Sequence, residues 1–566
     1  MDRAKTDSLF SPPAVVEDAT LDHRADHHSF AVNTLAWAIQ NQLSTKCIER
    51  YINKFPQFLV TPIIRLGVFT AFGVPSCPIL FYAIEQNSPE LIRLLCKAGA
   101  SVEQSATPSG LPPLAYAVLS AEYNLVDTTD VLITLLAVGA DPKDIPEDMW
   151  QAPLKSPVKE TQVGERNSKP WCTKVVREAL ARTLNLMQRY ALWKASTFDK
   201  PTERMLQIAE AHDLLPLLEA PFYLIGQKVA TQHILRKILN HYLFKDSKPL
   251  VLLLTGPSGH GKTELAKRMG SLLSLKIHQV DCTEMQYETD ILGPKAPYHG
   301  YDNGSPLNNH LAEHDGQKTV IFMDEFDKTT TAVHQAMLLP FESGFYNDRR
   351  NGKKLDCTNH IWLLAANLGE DIIRKFWKAS IENKTLALQE KAPLATLQKA
   401  LRARAIEAFG APLTGRLRDV VPYLPFDQLE QAVVAYKFMC EIRRKVRIDI
   451  NTDAKDFAGH SHVNFIDDGQ LALHIAKEGY IPELGARSLD DAVDREVTDK
   501  LGDVFLRQPL RIFNDANMRA LDRYDVRIAR ASDGTEEVTV TLAGLQDITE
   551  NSAMTYTSGR LSPSPG

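Results

Sequence analysis

Apolar residues recur at helical spacing in three short stretches of the N-terminal quarter: NTLAWAI at 33–39, PILFYAI at 78–84 and PPLAYAV at 112–118. Such spacing puts the apolar side chains on one helix face. A second periodic run follows each of the last two, ELIRLLCKAGASVE at 90–103 and VLITLLAVGADPK at 131–143. Leu94, Leu95, Leu135 and Leu136 are expected to bury between stacked helix pairs. Gly99 and Gly139 stand where a helix end needs a left-handed cap. Further on, TKVVREALARTLNLMQRYALWKAS at 173–196 puts Val175, Val176, Leu180, Leu184 and Met187 on one face, and so predicts a packing helix. From about residue 215 short apolar runs alternate with helical patterns, which predicts a parallel α/β core.

The paired helical pattern resembles the ankyrin repeat. Leu80 and Leu114 are 34 residues apart, close to the ~33-residue ankyrin period. The repeats are degenerate, because 40–77 is longer than one unit and 119–130 carries an insertion. Arrays of this kind bind other proteins on a concave face. The predicted divisions are an arm without fixed structure at 1–29, ankyrin-like repeats at 30–150, and a linker with a packing helix at 151–214. An α/β domain follows at 215–427, then a small C-terminal domain at 428–544 and a Ser/Pro/Gly-rich tail at 545–566.

Composition narrows the classes. With 566 residues, 44% hydrophobic and 24% charged, the chain reads as an ordinary multi-domain globular protein. A net charge of −6 and the lack of a basic stripe argue against a nucleic-acid partner. The cysteines form no CxxC pair, which fits a reducing compartment. No apolar run reaches the ~20 residues of a membrane span. The N-terminal stretch lacks the apolar core of a signal peptide, and its acidic residues argue against a transit peptide. The expected location is cytoplasmic, with a mitochondrial one left open.

Chemistry is concentrated between 250 and 370. VLLLTGPSGHGKTELAKRMGSLL at 251–273 places G-x-x-x-x-G-K-T after an apolar run and before an amphipathic helix. Gly256, Pro257, Ser258, Gly259, His260, Gly261, Lys262 and Thr263 form this phosphate loop. Its backbone N–H groups and the helix N-terminus suit a β-phosphate. Lys262 would reach the β- and γ-phosphates of ATP, and Thr263 would ligate Mg2+. TVIFMDEFDK at 319–328 supplies the matching carboxylates 61 residues beyond Thr263. Asp324 would hold Mg2+ and Glu325 would polarise the attacking water; Asp327 reads as a cap or ion-pair residue. Asn367 ends another apolar strand in CTNHIWLLAANLG, where a neutral amide can bond the water or the γ-phosphate. The basic run RRNGKK at 349–354 reads as a solvated hairpin tip.

These pieces, in this order, resemble the AAA+ ATPases of the Clp-type unfoldase and disaggregase family over about 215–510. The resemblance implies an N-terminal all-α ankyrin-like region, an α/β P-loop core and a small α/β lid. It puts Ile225 and Gly226, in LIGQKVATQHI, near adenine, and Asn367 in the sensor-1 role. TGRLRDVVPYLPF at 414–426 makes Arg416 the candidate arginine finger, and YIPELGARSLDDAVDREV at 480–497 puts Arg487 in the sensor-2 role. LGPKAPYHGYDNGSPLNNHL matches the family's channel loop, with Tyr298 as the residue that grips polypeptide and Tyr301 as a second aromatic. An aromatic ring holds arbitrary sequence by apolar contact. Pro297 and His299 depart from the family's Gly and Val. One ATPase module is present, with no inserted coiled coil and no Ile-Gly-Phe/Leu protrusion between 368 and 415.

The resulting expectation is an ATP-driven unfoldase and disaggregase. It would act on unfolded or aggregated polypeptides as a homo-hexamer, with the repeats binding substrate or organising the ring. The alternative is an ankyrin scaffold with a nucleotide-dependent assembly switch.

Overall fold

The computed structural model describes residues 32–55, 63–65, 76–106, 109–124, 126–158, 169–244, 248–448, 459–508, 520–530 and 534–547. The expected N-terminal arm and residues 548–566 lie outside them. The chain divides into two compact units. One holds Met1–Pro201, Ala432–Glu478 and Asp490–Gly566; the other holds Thr202–Gln431 and Gly479–Leu489.

In the first unit the periodic runs form short helices in pairs: α1 (Val32–Gln40) with α2 (Thr45–Lys54), α3 (Ile79–Glu85) with α4 (Pro89–Lys97), and α5 (Pro113–Asn124) with α6 (Thr129–Ala137). Ser88 caps α4 by accepting from Leu91 N, ahead of Pro89 in the first turn. Helices α4 and α6 end alike. Gly99 and Gly139 are left-handed at φ 100° and 108°. Ala100 N bonds Leu95 O and Ala140 N bonds Leu135 O, each at 2.9 Å. The same closing bonds 40 residues apart mark two copies of one helix ending. Phe81 of α3 stacks on Tyr116 of α5 at 4.9 Å.

The segment 173–196 departs from expectation. It is two helices, α7 (Lys174–Thr183) and α8 (Leu186–Ser196). Leu184 is extended, and Asn185 starts α8 with a reciprocal capping box to Gln188. The capping pair outweighs the continuous apolar stripe.

The second unit is built on five parallel strands: β1 (Leu250–Thr255), β2 (Ile277–Asp281), β3 (Thr319–Asp324), β4 (His360–Ala366) and β5 (Asp419–Pro422). Their order is β2-β3-β4-β1-β5. Strands β1 and β4 are buried along their whole length. Strands covered on both faces read as unbroken apolar runs rather than alternating ones. Each fully buried Leu or Val contributes about 1.5–3 kcal/mol of transfer free energy. Because β1 lies between β4 and β5, the chain reverses direction across the sheet beside it. The carboxyl ends of β1, β3 and β4 therefore open on one crevice. Helix α9 (Lys262–Leu272) leaves the loop after β1.

The C-terminal part of the first unit contains α10 (Gln428–Lys445, entering the unit at Ala432), β6 (Ser461–Phe465) and α11 (Asp468–Gly479). Helix α12 (Ala486–Val493) continues through a π-helical turn into a further helix at Asp499–Leu506, and β7 (Ala520–Arg530) and β8 (Glu536–Asp547) come later in the chain. Strands β6, β7 and β8 form one sheet. Strand β8 runs past the expected boundary at 544.

Sequence reading keeps the helical array apart from the C-terminal domain, but the two share a polar core. Arg189 of α8 donates to Asp468 of α11 at 2.6 Å and to the Leu184 and Pro153 carbonyls at 2.7 and 2.8 Å. Asp468 also accepts from Leu186 N at 2.7 Å. A Cβ on Gly469 would lie 2.4 Å from the Leu154 carbonyl, so only glycine allows that approach. Asp127 accepts from Arg444 at 2.9 Å. Burial works to raise its carboxyl, but Arg443, Thr129 and Arg444 outweigh it and hold the group below the usual carboxylate range.

Candidate nucleotide site

The loop after β1 turns on three left-handed glycines, Gly256, Gly259 and Gly261. Two of them also need the missing side chain. A Cβ on Gly256 would sit 2.6 Å from the Tyr423 carbonyl, and one on Gly259 would sit 2.0 Å from the Leu484 carbonyl. Lys262 opens α9, buried beneath this loop. Its Nζ donates to the Gly256 and Pro257 carbonyls at 2.7 and 2.8 Å and to Asn367 Oδ1 at 3.0 Å. Burial pulls the amine down to about 8, against the pull of Glu325, Asp324 and Asp327.

The carboxyl ends of β3 and β4 complete the cluster. Thr263 Oγ1 donates to Asp324 Oδ2 at 3.1 Å. Glu325 sits in the left-handed region at φ 51°, unusual for a residue with a side chain, and its N–H bonds Asp324 Oδ1. Strained backbone of this sort gathers at functional sites. Asn367 Nδ2 donates to Glu325 Oε2 at 3.0 Å, and Asn367 N donates to Asp327 Oδ1 at 3.2 Å. Asp327 is thus a backbone cap, as expected. An open cleft of about 530 Å3 lies against Asn367, lined also by Asp327, Glu370 and Arg374.

The donor set fits a magnesium nucleotide. A buried amine and the backbone of a glycine loop face anions. The Thr263 hydroxyl and Asp324 carboxylate are adjacent hard oxygen ligands of the kind Mg2+ takes.

The other expected residues fall at several distances from this centre. Ile225 is buried, and Gly226 is left-handed, with Phe426 Cδ1 only 2.7 Å from where a Cβ would stand. Sequence reading passed over the neighbouring Gln227, whose buried amide exchanges two bonds with the Leu424 backbone at 2.8 and 3.0 Å. His260 turns toward Phe426 and Tyr480. Exposed Arg487 follows Ala486, whose N–H donates to the Gly259 carbonyl at 2.9 Å. Arg416 is not joined to the cluster by any described contact. It pairs with Glu342 and the Pro412 carbonyl, and its Nε is buried with no hydrogen-bond partner among the described residues.

Tyr298 is 72% exposed on the connection between β2 and β3. Tyr301 is half-buried and begins a short 3-10 turn. The loop is braced from below. Arg349 donates to the Gly293 carbonyl and to Glu288, both at 3.0 Å. Asn308 Oδ1 accepts from Tyr346 Oη at 2.6 Å and Arg349 N at 3.0 Å. The basic run at 349–354 is therefore only partly a solvated tip: Arg349 is buried and Arg350 grips Asp348 at 2.8 Å. Among the described residues no helix is long and apolar enough to cross a membrane.

Comparison with known proteins follows the same outline. Residues 247–420 match a family model described as the AAA domain (Cdc48 subfamily). Residues 441–516 match the C-terminal, D2-small domain of ClpB protein. Chaperone protein ClpB of Chlamydia caviae is 25% identical over 346 residues, 59% of this chain and 37% of its own length. The mitochondrial disaggregase of Rattus norvegicus is 24% identical over 422 residues, 70% of this chain and 55% of its own. A solved closed state of Hsp104 with ATPγS and FITC casein aligns over 76% of this chain and 68% of that one, at 19% identity and a TM-score of 0.45. The chain spans 37 to 55% of the length of these two curated relatives.

Proposed function

Because the chain belongs to the Clp-type AAA+ ATPases, we propose that it hydrolyses ATP to thread unfolded or aggregated polypeptide through a ring of its own copies. The observation that carries this reading is the convergence of Lys262, Thr263, Asp324, Glu325 and Asn367 at the carboxyl ends of β1, β3 and β4 within direct hydrogen bonds.

In this reading the glycine loop and Lys262 bind the phosphates, and Thr263 with Asp324 holds Mg2+. When bound, that ion neutralises charge on the β- and γ-phosphoryl oxygens. Glu325 accepts the proton of the attacking water, and Asn367 fixes the carboxylate by donating to it. Ile225 and Gly226 lie toward the base, and Arg487 toward the γ-phosphate. Arg416 serves a neighbouring subunit's nucleotide, in keeping with its lack of contact with its own loop; a ring, taken as a hexamer, is then needed for turnover.

Tyr298 touches the moving chain, with Tyr301 behind it. An aromatic that is 72% exposed while its loop is held by Arg349 and Asn308 suits a gripping role better than a packing one. We read the N-terminal helix pairs as ankyrin-like repeats that receive substrate or organise the ring. Their matching glycine-capped ends support this.

The test is ATP-dependent reactivation of an aggregated model enzyme by the wild type and by Glu325→Gln. Reactivation by the wild type alone supports the reading. A wild-type oligomer that hydrolyses no ATP would instead favour an ankyrin scaffold with a nucleotide-dependent assembly switch.

A further inference from the structure

His260 occupies the middle of the phosphate loop, yet its ring is used elsewhere. The residue is 1% exposed and stacks on Phe426 with centroids 4.8 Å apart and planes 22° apart. Nδ1 lies 2.7 Å from the Ser258 carbonyl and Nε2 lies 3.3 Å from Tyr480 Oη. A carbonyl oxygen only accepts, so Nδ1 carries the hydrogen and Nε2 the lone pair. Tyr480 then donates to Nε2. Its hydroxyl keeps its proton, because burial pushes it up to about 12. The result is a directional relay: Tyr480 O–H to Nε2, and Nδ1–H to Ser258.

The same short stretch of chain meets the loop again. Leu484 O occupies the space where Gly259 would carry a Cβ, and a Cβ on Gly485 would lie 2.8 Å from Gly259 O and 3.0 Å from His260 Cε1. Ala486 N bonds Gly259 O at 2.9 Å, and Arg487 comes next. On its other side Phe426 closes on Gly226. One imidazole thus joins three things: the phosphate loop, the segment that ends in Arg487, and the wall beside Gly226.

We propose that His260 is a positioning residue, a neutral strut that holds the Tyr480–Arg487 segment against the phosphate loop and so sets Arg487 toward the bound nucleotide. The proposal rests on the ATPase reading above. In this arrangement the imidazole is neutral, with Nε2 accepting from Tyr480 and Nδ1–H donating to the Ser258 carbonyl. Burial lowers the ring to about 4; the Ser258 carbonyl and Glu370 oppose that, while Lys262 and Arg374 add to it. Near neutral pH the ring is therefore neutral.

The test uses the full-length chain and a fluorescent ADP analogue and ATP as probes, with His260→Leu, His260→Gln, Tyr480→Phe and the His260→Leu/Tyr480→Phe double variant. Losing one buried hydrogen bond is expected to weaken nucleotide binding by about 3- to 10-fold. Tyr480→Phe and His260→Leu should each do so, and the double variant should bind no more weakly than His260→Leu alone. His260→Gln, which keeps an acceptor for Tyr480, should recover part of the loss. The change should fall on KM for ATP rather than on kcat. Melting of the nucleotide-free protein separates this from misfolding, and Tyr480→Phe removes a single oxygen in any case. Unchanged affinity in Tyr480→Phe, or additive losses in the double variant, overturns the strut. A wild type that binds neither probe overturns the ATPase reading and the strut together; a wild type that binds while the variants match it overturns the strut alone.

Discussion

Arg189 and Asp468 form an ion pair at 2.6 Å in which only 1% of the arginine side chain is exposed. This pair, 279 residues apart in sequence, joins the helical array to the C-terminal domain. Removing one member of a buried pair leaves the other charge unpaired, at a cost of about 3–5 kcal/mol. Asp468→Ala should therefore lower the urea midpoint markedly. Arg189→Met with Asp468→Leu should recover much of the loss, because the charge and its partner leave together. Urea unfolding followed by circular dichroism measures both.

Glu325→Gln keeps the shape of the acidic turn and removes the base. ATP turnover should fall by about 100-fold or more, the usual contribution of a general base. Binding of a fluorescent ATP analogue should persist. A coupled ATPase assay and a binding titration separate the two effects.

Gly259→Ala tests the loop geometry. The new methyl would require a left-handed φ of 71° and would strike the Leu484 carbonyl at 2.0 Å. Nucleotide affinity should collapse. Gly352→Ala is the control, since Gly352 is left-handed at 72° with nothing within 4 Å of the new carbon. It should cost only the backbone penalty, about 1–2 kcal/mol, with nucleotide binding unchanged.

Four histidines meet near the amino ends of β2 and β4. His310 stacks between His278 at 4.6 Å and His314 at 4.2 Å, and His360 reaches the His314 carbonyl at 3.3 Å. Burial lowers His310 to about 3 and His360 to about 4; the charges of neighbouring histidines and, for His310, Lys276 add to this, while the His314 carbonyl, Asp356 and Asp315 oppose it at His360. Folded values below the unfolded ~6.5 mean that the unfolded chain binds more protons in between. Stability from this cluster is complete above about pH 6.5 and declines as pH falls toward 4. The melting temperature should drop by several degrees from pH 7.5 to pH 5. His310→Gln, which cannot titrate, should flatten the slope in differential scanning calorimetry.

The contiguous parts of the site were legible in sequence. GPSGHGKT and DEF carry their chemistry within a few residues, and the apolar runs before them could only be buried strands. What escaped were partners distant in sequence. Asn308 gives no local sign that it will bond Tyr346 and Arg349, and RRNGKK reads as surface because Glu288 and Asp315, the partners of Arg349 and Lys353, lie elsewhere in the chain. The same holds for Arg189 and Asp468, so the grouping of the first and last parts of the chain was not readable. The split at Asn185 did have a local signal, the Asn-x-x-Gln capping pair, but it was weaker to the eye than the stripe of Val and Leu around it. The place of His260 in GPSGHGKT gives no sign that its ring serves Tyr480 and Phe426.

The central claim is that Tyr298 transmits the work of ATP hydrolysis to a polypeptide. The most direct measurement is reactivation of an aggregated model enzyme by Tyr298→Ala, run beside its ATPase rate. The account predicts ATP hydrolysis close to the wild-type rate with little or no reactivation. Reactivation at the wild-type rate by Tyr298→Ala would contradict it.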